Sequence, residues 1–320
     1  MTTSADPTDV AERRRPVSRL RARINFAVFS AVTIGGGWLF AALDRATGQI
    51  TGAGSVTSTS GGTNGQGLWL VVPALTALAL HFLSRDGAGP LGLTLRFADR
   101  TRWFAFVMVL SPIAIAVSVA GATATGAATF SLTPRAGEPA LLTAFATTLG
   151  FLLVKNLLEE FIFRGYGTRT AMALGLRGVA PHVLIGLVWG LWHVPLYTVW
   201  MSQADFRQTT TLPWAWYLPT LLVGTVALAV LYGEIRMWTG SIWPGVVLHT
   251  VDNALITPLL LNGHLSFEGR GDTLFGLAPN SVISVLLFGG TGLVLLHWRS
   301  RIRWAPSSHR SSRGSGGDRR

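Results

Sequence analysis

Residues 157–164 read Leu-Leu-Glu-Glu-Phe-Ile-Phe-Arg and end an apolar stretch that begins near residue 140. Such charges are costly in a membrane helix, since insertion scales give about 2.5–3.5 kcal/mol for each central Asp, Lys or Arg. On a helix, Glu160 and Arg164 are four residues apart and can pair, whereas Glu159 points about 100° away around the helix axis. Charged residues that are retained at this energetic cost indicate a functional site. The main question is which groups Glu159 faces.

The composition is typical of a polytopic membrane protein. The 320 residues are 49% hydrophobic and 13% charged, with a mean hydropathy of +0.43, whereas soluble domains carry about 25% charged residues. The chain has no cysteine, which excludes disulfides, thiolate metal sites and a cysteine nucleophile. The net charge of +11 comes from arginines concentrated at the two ends and in alternate loops. This positive-inside pattern predicts a lipid bilayer, and no nucleic acid, as the partner.

Eight apolar stretches are each long enough to cross a hydrocarbon core of about 30 Å as a helix. They lie at about 24–43, 68–83, 103–120, 140–163, 181–200, 216–232, 242–261 and 282–298. The sequence therefore predicts an all-α polytopic membrane helical bundle with about eight transmembrane helices, located in the cell membrane. A basic cytoplasmic segment at 1–23 precedes this domain of residues 24–298, and a basic tail at 299–320 is predicted to be disordered.

The arginines also predict the orientation of the chain. Loops at 85–102, 164–180 and 233–241 hold four, three and one arginines, and the four loops on the other side hold one each. The third of these loops is a short turn marked by Glu234 and Arg236. By the positive-inside rule, these three loops and both termini are cytoplasmic.

Three polar motifs interrupt the apolar stretches. They are, in chain order, Glu159-Glu160-x-x-x-Arg164, Trp189-x-x-x-His193 and His249-x-x-x-Asn253. Their depths, counted from the predicted helix ends at 1.5 Å per residue, differ by roughly 10 Å, so the helices must tilt or begin later than drawn. All three motifs nevertheless fall in the cytoplasmic half or near the midplane. One cavity open to the cytoplasm can hold them.

A carboxylate, two imidazoles and a carboxamide suit the activation of water. The carboxylate and one histidine can share the proton of an attacking water, while the other histidine and Asn253 stabilise an oxyanion. Alternatively, Glu159, His193 and His249 can bind a divalent metal ion, with zinc as the first candidate. No H-E-x-x-H motif is present, so the spacing leaves the metal and the metal-free mechanisms open.

The ordered set of three motifs resembles the CAAX protease and bacteriocin-processing family of intramembrane proteases, also called the CPBP or Abi family. The resemblance covers about residues 140–262. One departure is Trp189, where the family usually has phenylalanine; an aromatic wall is kept. The resemblance implies an intramembrane endopeptidase, metal-assisted or not, whose substrates are membrane-bound or hydrophobic peptides.

The resemblance also implies a role for each motif residue. Glu159 and His193 would activate the water. His249 and Asn253 would form the oxyanion or metal-side group. Glu160 and Arg164 would complete the first catalytic motif.

Simpler interpretations remain for several of these residues. Glu160 and Arg164 can form a structural ion pair at a helix end. Lys155, the only lysine, lies one turn before Glu159 and either pairs with it or faces a wet cavity. His182, at the start of the fifth span, is expected at the membrane interface. For the whole chain, the alternatives are a non-catalytic membrane immunity or scaffold protein and a small-solute transporter.

Overall fold

The computed structural model describes residues 18–50, 62–84 and 89–304. In these ranges, eight helices are long and apolar enough to cross a membrane. They are α1 (Arg19–Ala46), α2 (Asn64–Ser84), α3 (Ala98–Ala124), α4 (Leu141–Ala173), α5 (Ala180–Trp200), α6 (Trp214–Thr239), α7 (Trp243–Leu261) and α8 (Val282–Ile302). The predicted all-α membrane bundle is confirmed, and the chain is an integral membrane protein. Most of the predicted N-terminal segment lies outside the described residues.

Short elements gather at the end of the bundle where α3, α5 and α7 finish. Strands β1 (Ala128–Phe130) and β2 (Leu265–Phe267) pair in antiparallel fashion. Two short helices lie in these connections: Gln203–Thr209 between α5 and α6, and Gly271–Phe275 after β2. Asp272 accepts a hydrogen bond of 2.8 Å from the Thr210 hydroxyl, which ties two of these segments together.

The fourth helix is longer than predicted. The expected loop at 164–180 is wrong in its first half, because the chain stays helical to Ala173 and takes a π-helical form over Phe161–Gly167. Arg164 and Arg169, which had been assigned to that loop, have buried side chains. The loop that remains holds a single arginine, Arg177. Wide π turns inside α-helices often mark functional sites.

Two other predicted boundaries are also wrong. Helix α6 continues through the expected turn at Glu234 and Arg236 and ends at Thr239. The last helix continues to Trp304, so the first part of the predicted disordered tail is helical. The physical reason is that Glu234, fully buried, bonds Arg299 of the last helix. A prediction from hydropathy ends a membrane span where such charges occur. In the structure, the ion pair between the two helices allows both helices to continue.

Aromatic side chains fix the middle of the bundle. Trp69 of α2 stacks on Trp192 of α5 with ring centroids 3.8 Å apart, and each indole N–H donates to the carbonyl of the other residue, at 3.2 and 3.3 Å. On its other side α5 approaches α6 closely, because a Cβ at Gly186 would lie only 2.5 Å from the Cα of Val226. Helix α5 is therefore held firmly between its neighbours.

Candidate active site

The three motifs meet at one level of the bundle. Glu159 lies 14 residues before the end of α4 at Ala173, and His193 lies 13 residues after the start of α5 at Ala180. At 1.5 Å per residue, each is about 20 Å from that end of its helix. The lengthened α4 therefore removes the predicted depth difference between these two motifs.

Helix α7 starts deeper in the bundle than α5 does. The amide of Ile242, just before α7, donates to the carbonyl of Gly92 at 3.0 Å. The neighbouring carbonyl of Leu91 lies 3.2 Å from the Cβ position of Gly165 in α4, eight residues before that helix ends. His249, only six residues after the start of α7, consequently reaches the level of Glu159.

Glu159 is fully buried, and each of its carboxylate oxygens has a donor. Lys155 Nζ bonds Oε1 of Glu159. Of the two interpretations of Lys155, the structure therefore supports the one in which Lys155 pairs with Glu159. The indole Nε1 of Trp189 donates to Oε2 at 3.3 Å. His249 Nε2 lies 4.0 Å from the same oxygen, which is too long for a direct hydrogen bond.

Glu160, also fully buried, contacts both Arg164 and His249. Its Oε1 lies 3.2 Å from an Arg164 nitrogen, as the i,i+4 spacing predicted, and 3.1 Å from Nδ1 of His249. A Cβ at Gly245 would lie 3.0 Å from the second oxygen of Glu160, so the glycine one turn before His249 allows α7 to come this close. Because a carboxylate only accepts, Nδ1 of His249 donates in this contact.

Arg164 is enclosed by aromatic rings. Its side chain is 1% exposed, and its guanidinium carbon lies 4.0 Å from the ring centroid of Trp189 and 4.6 Å from that of Tyr232. Stacking of this kind stabilises a desolvated guanidinium in addition to its ion pair. The pair with Glu160 therefore lies inside the bundle and not at a helix end. Tyr232, an aromatic residue in an apolar span, could not be recognised from the sequence.

His193 is oriented by its own helix. Its Nδ1 donates to the carbonyl of Trp189 at 2.9 Å, which leaves Nε2 as the acceptor nitrogen of the neutral ring. Tyr197, one turn further, has its ring centroid 6.3 Å from the imidazole. Trp189 lies between His193 and Glu159: its ring centroid is 5.6 Å from that of His193, and its indole N–H donates to Glu159 at 3.3 Å.

Asn156 joins the first and third motifs, and the sequence analysis missed it. Its Oδ1 accepts hydrogen bonds from Nδ2 of Asn253 and from Nζ of Lys155, both at 3.2 Å. The side chain is fully buried. One signal was available, since Asn156 lies four residues before Glu160 and so shares its helix face.

The predicted metal ligands are Glu159, His193 and His249, and each has a hydrogen-bond partner in the structure. Among the residues that the structure describes, no group of three or more His, Cys, Asp or Glu side chains could hold a metal ion. Lys155 bonds one oxygen of Glu159, whereas the Nδ1 contacts of His193 and His249 leave Nε2 as the nitrogen of each ring that would bind a metal. The metal-bound site at Glu159, His193 and His249 and the metal-free mechanism both stay predictions.

His182, expected at the membrane interface, has its side chain directed into the protein interior. It is buried, with its Nε2 2.9 Å from Oε1 of Glu234, and Arg299 donates two hydrogen bonds of 2.6 Å to the same carboxylate. This second cluster links α5, α6 and the last helix. It lies eleven residues, or about 16 Å along α5, from His193.

The comparison with known families agrees with the motifs. Residues 140–255 match the family model Rce1-like, described as type II CAAX prenyl endopeptidase Rce1-like. All three motifs fall inside the match, so the predicted resemblance to the CAAX protease family is confirmed. No curated protein matches the chain.

Proposed function

The chain contains an Rce1-like domain, and on that premise we propose that it is an intramembrane endopeptidase. It hydrolyses peptide bonds of membrane-associated or hydrophobic peptides with an activated water and no covalent intermediate. The observation that carries the proposal is the fully buried carboxylate of Glu159, which lies 4.0 Å from Nε2 of His249 and at the same level of the bundle as His193. Ionisable groups kept inside a membrane bundle are functional by default.

The proposed chemistry is general-base hydrolysis. Glu159, helped by the acceptor Nε2 of His193, takes a proton from the water as its oxygen attacks the scissile carbonyl carbon. The second N–H of Asn253 donates to the oxyanion, and His249 lies beside Glu159 to stabilise that oxyanion further. When the C–N bond breaks, the proton held by Glu159 passes to the leaving amine. The carboxyl product keeps the oxygen of the water.

The surroundings of the site support a hydrophobic substrate. Lys155 is 25% exposed and His193 and Asn253 are half-buried, whereas Glu159 is fully buried, so the site opens on this side. The adjoining face of α4 is apolar and exposed, with Phe151 69% exposed. A peptide that partitions into the bilayer can reach the site along that face.

The test is cleavage of peptides by purified protein in lipid vesicles. The peptides are hydrophobic sequences of varied composition, with prenylated and unprenylated forms of one CAAX-type peptide as a matched pair. Mass spectrometry of the products should show new termini with the wild type, and a rate lower by about 10²–10⁴ with Glu159→Gln. If the wild type cleaves no more peptide than that variant does, the proposal is contradicted. The immunity, scaffold and transporter alternatives would then be favoured.

A further inference from the structure

The carboxylate of Glu159 is held by Lys155, which lies outside the three motifs, and by Trp189, the first residue of the second motif. Lys155 bonds one oxygen and the indole N–H of Trp189 donates to the other. We propose that Lys155, Asn156 and the Trp189 indole N–H form a positioning clamp, which fixes the carboxylate of Glu159 and the carboxamide of Asn253 in a single arrangement. This inference rests on the proposed function, in which Glu159 is the general base.

Charge pairing is the first argument for the clamp. Glu159 and Glu160 are adjacent and both fully buried, and each has a cation of its own. Arg164 pairs with Glu160 and is stacked on Trp189. Lys155 is then the cation of Glu159, and without it a buried carboxylate would lose its counter-charge, which is strongly destabilising.

Hydrogen-bond accounting at Asn156 is the second argument. A carboxamide oxygen has two lone pairs, and those of Asn156 accept from Lys155 and from Asn253, each at 3.2 Å. If the amide of Asn253 were turned over, two carbonyl oxygens would face each other. The contact therefore fixes the Asn253 amide and leaves its second N–H for an oxyanion, while Lys155 links it to Glu159.

Trp189 supplies the third part of the clamp. Its ring packs on the guanidinium of Arg164, with the guanidinium carbon 4.0 Å from the centroid, and its N–H reaches Glu159 at 3.3 Å. A phenylalanine at this position keeps an aromatic ring and lacks the N–H. Trp189→Phe thus separates the hydrogen bond to Glu159 from most of the packing.

The test compares kcat and KM for one cleaved peptide in Lys155→Met, Lys155→Arg, Asn156→Leu and Trp189→Phe. Losing a hydrogen bond to a charged group is expected to lower kcat by about 10- to 100-fold. We therefore expect kcat to fall about 100-fold in Lys155→Met. In Trp189→Phe and Asn156→Leu it should fall about tenfold. KM should stay within about twofold, since the clamp contacts the base and not the substrate. Lys155→Arg, which keeps the cation, should recover at least half of the lost activity on a logarithmic scale.

Thr147→Val is the matched control on the same helix. The Thr147 hydroxyl donates within its own helix, to the carbonyl of Thr143 at 2.8 Å and to that of Ala144 at 3.2 Å, so kcat should equal that of the wild type. The clamp is overturned if folded Lys155→Met keeps the wild-type kcat, if its loss appears in KM alone, or if Lys155→Arg is no more active than Lys155→Met.

Thermal unfolding gives a readout that does not depend on cleavage. Lys155→Met should lower the melting temperature when Glu159 is present and have little effect in the Glu159→Gln background, because the partner charge is then absent. Equal losses in the two backgrounds contradict the clamp. If the wild type cleaves no peptide while this coupling is present, the proposed function fails and the pairing of Lys155 with Glu159 stands.

Discussion

Nδ1 of His249 lies 3.1 Å from Oε1 of Glu160, whereas its Nε2 lies 4.0 Å from Oε2 of Glu159. The two adjacent glutamates thus contact different nitrogens of the same ring. The contact with Glu160 fixes which nitrogen of His249 points towards Glu159. Glu160 therefore supports His249 as well as Arg164, which the i,i+4 spacing alone did not predict.

The first prediction concerns the buried pair of Glu160 and Arg164. Glu160→Gln and Arg164→Ala should each lower the folded yield and thermal stability, because each leaves a buried charge unpaired at a cost of about 3–5 kcal/mol. The double variant Glu160→Gln with Arg164→Gln should recover part of that loss. Melting temperatures in detergent decide this, and a double variant less stable than either single variant contradicts the pairing.

The second cluster is predicted to be structural. Glu234→Gln should lower the melting temperature, because Arg299, hydrogen-bonded to both Glu234 oxygens, loses its counter-charge. Peptide turnover per folded molecule should match that of the wild type, since the cluster lies about 16 Å along α5 from His193. Unchanged stability, or lost turnover in folded protein, would show that the cluster has another role.

Much of the fold and site followed from simple patterns, and the misses have a common physical cause. Hydropathy located all eight helices, and spacing found the three motifs. Hydropathy failed to predict the helix ends where a charged residue is buried with a partner from another helix, as with Glu234 and Arg299. Asn156 was also missed, because its spacing from Glu160 places it on that helix face but does not show that Asn253 lies opposite it. Such partnerships are long-range in sequence and appear only once the helices are packed.

The orientation of the bundle is the third prediction. The helical extension of α4 leaves one arginine in its cytoplasmic loop, so the bias now rests on residues 85–102, with four arginines, and on the two basic ends. Both termini should still be cytoplasmic. Reporter fusions near residue 60 and at the C-terminus should lie on opposite sides of the cell membrane. If both reporters lie on the same side, the predicted orientation is wrong.

The fourth prediction concerns the metal. A divalent ion bound through Glu159, His193 and His249 would have to displace the ammonium of Lys155 from Oε1 or use the other oxygen, where Trp189 donates. We therefore expect chelator-treated protein with well under one metal ion per chain to keep its turnover. Elemental analysis beside an activity assay checks this. About one zinc ion per chain, with activity lost on its removal and restored on its return, would support the zinc alternative.

The roles of the two adjacent glutamates provide the fifth prediction and the most direct test of the account. Turnover of one peptide and thermal unfolding are measured in parallel for the wild type, Glu159→Gln and Glu160→Gln. Glu159→Gln should stay folded and lose about 10²–10⁴ in kcat, because the general base is gone. Glu160→Gln should instead unfold at a lower temperature. A folded Glu159→Gln that turns over peptide like the wild type, beside a stable but inactive Glu160→Gln, would contradict the assignment of Glu159 as the base.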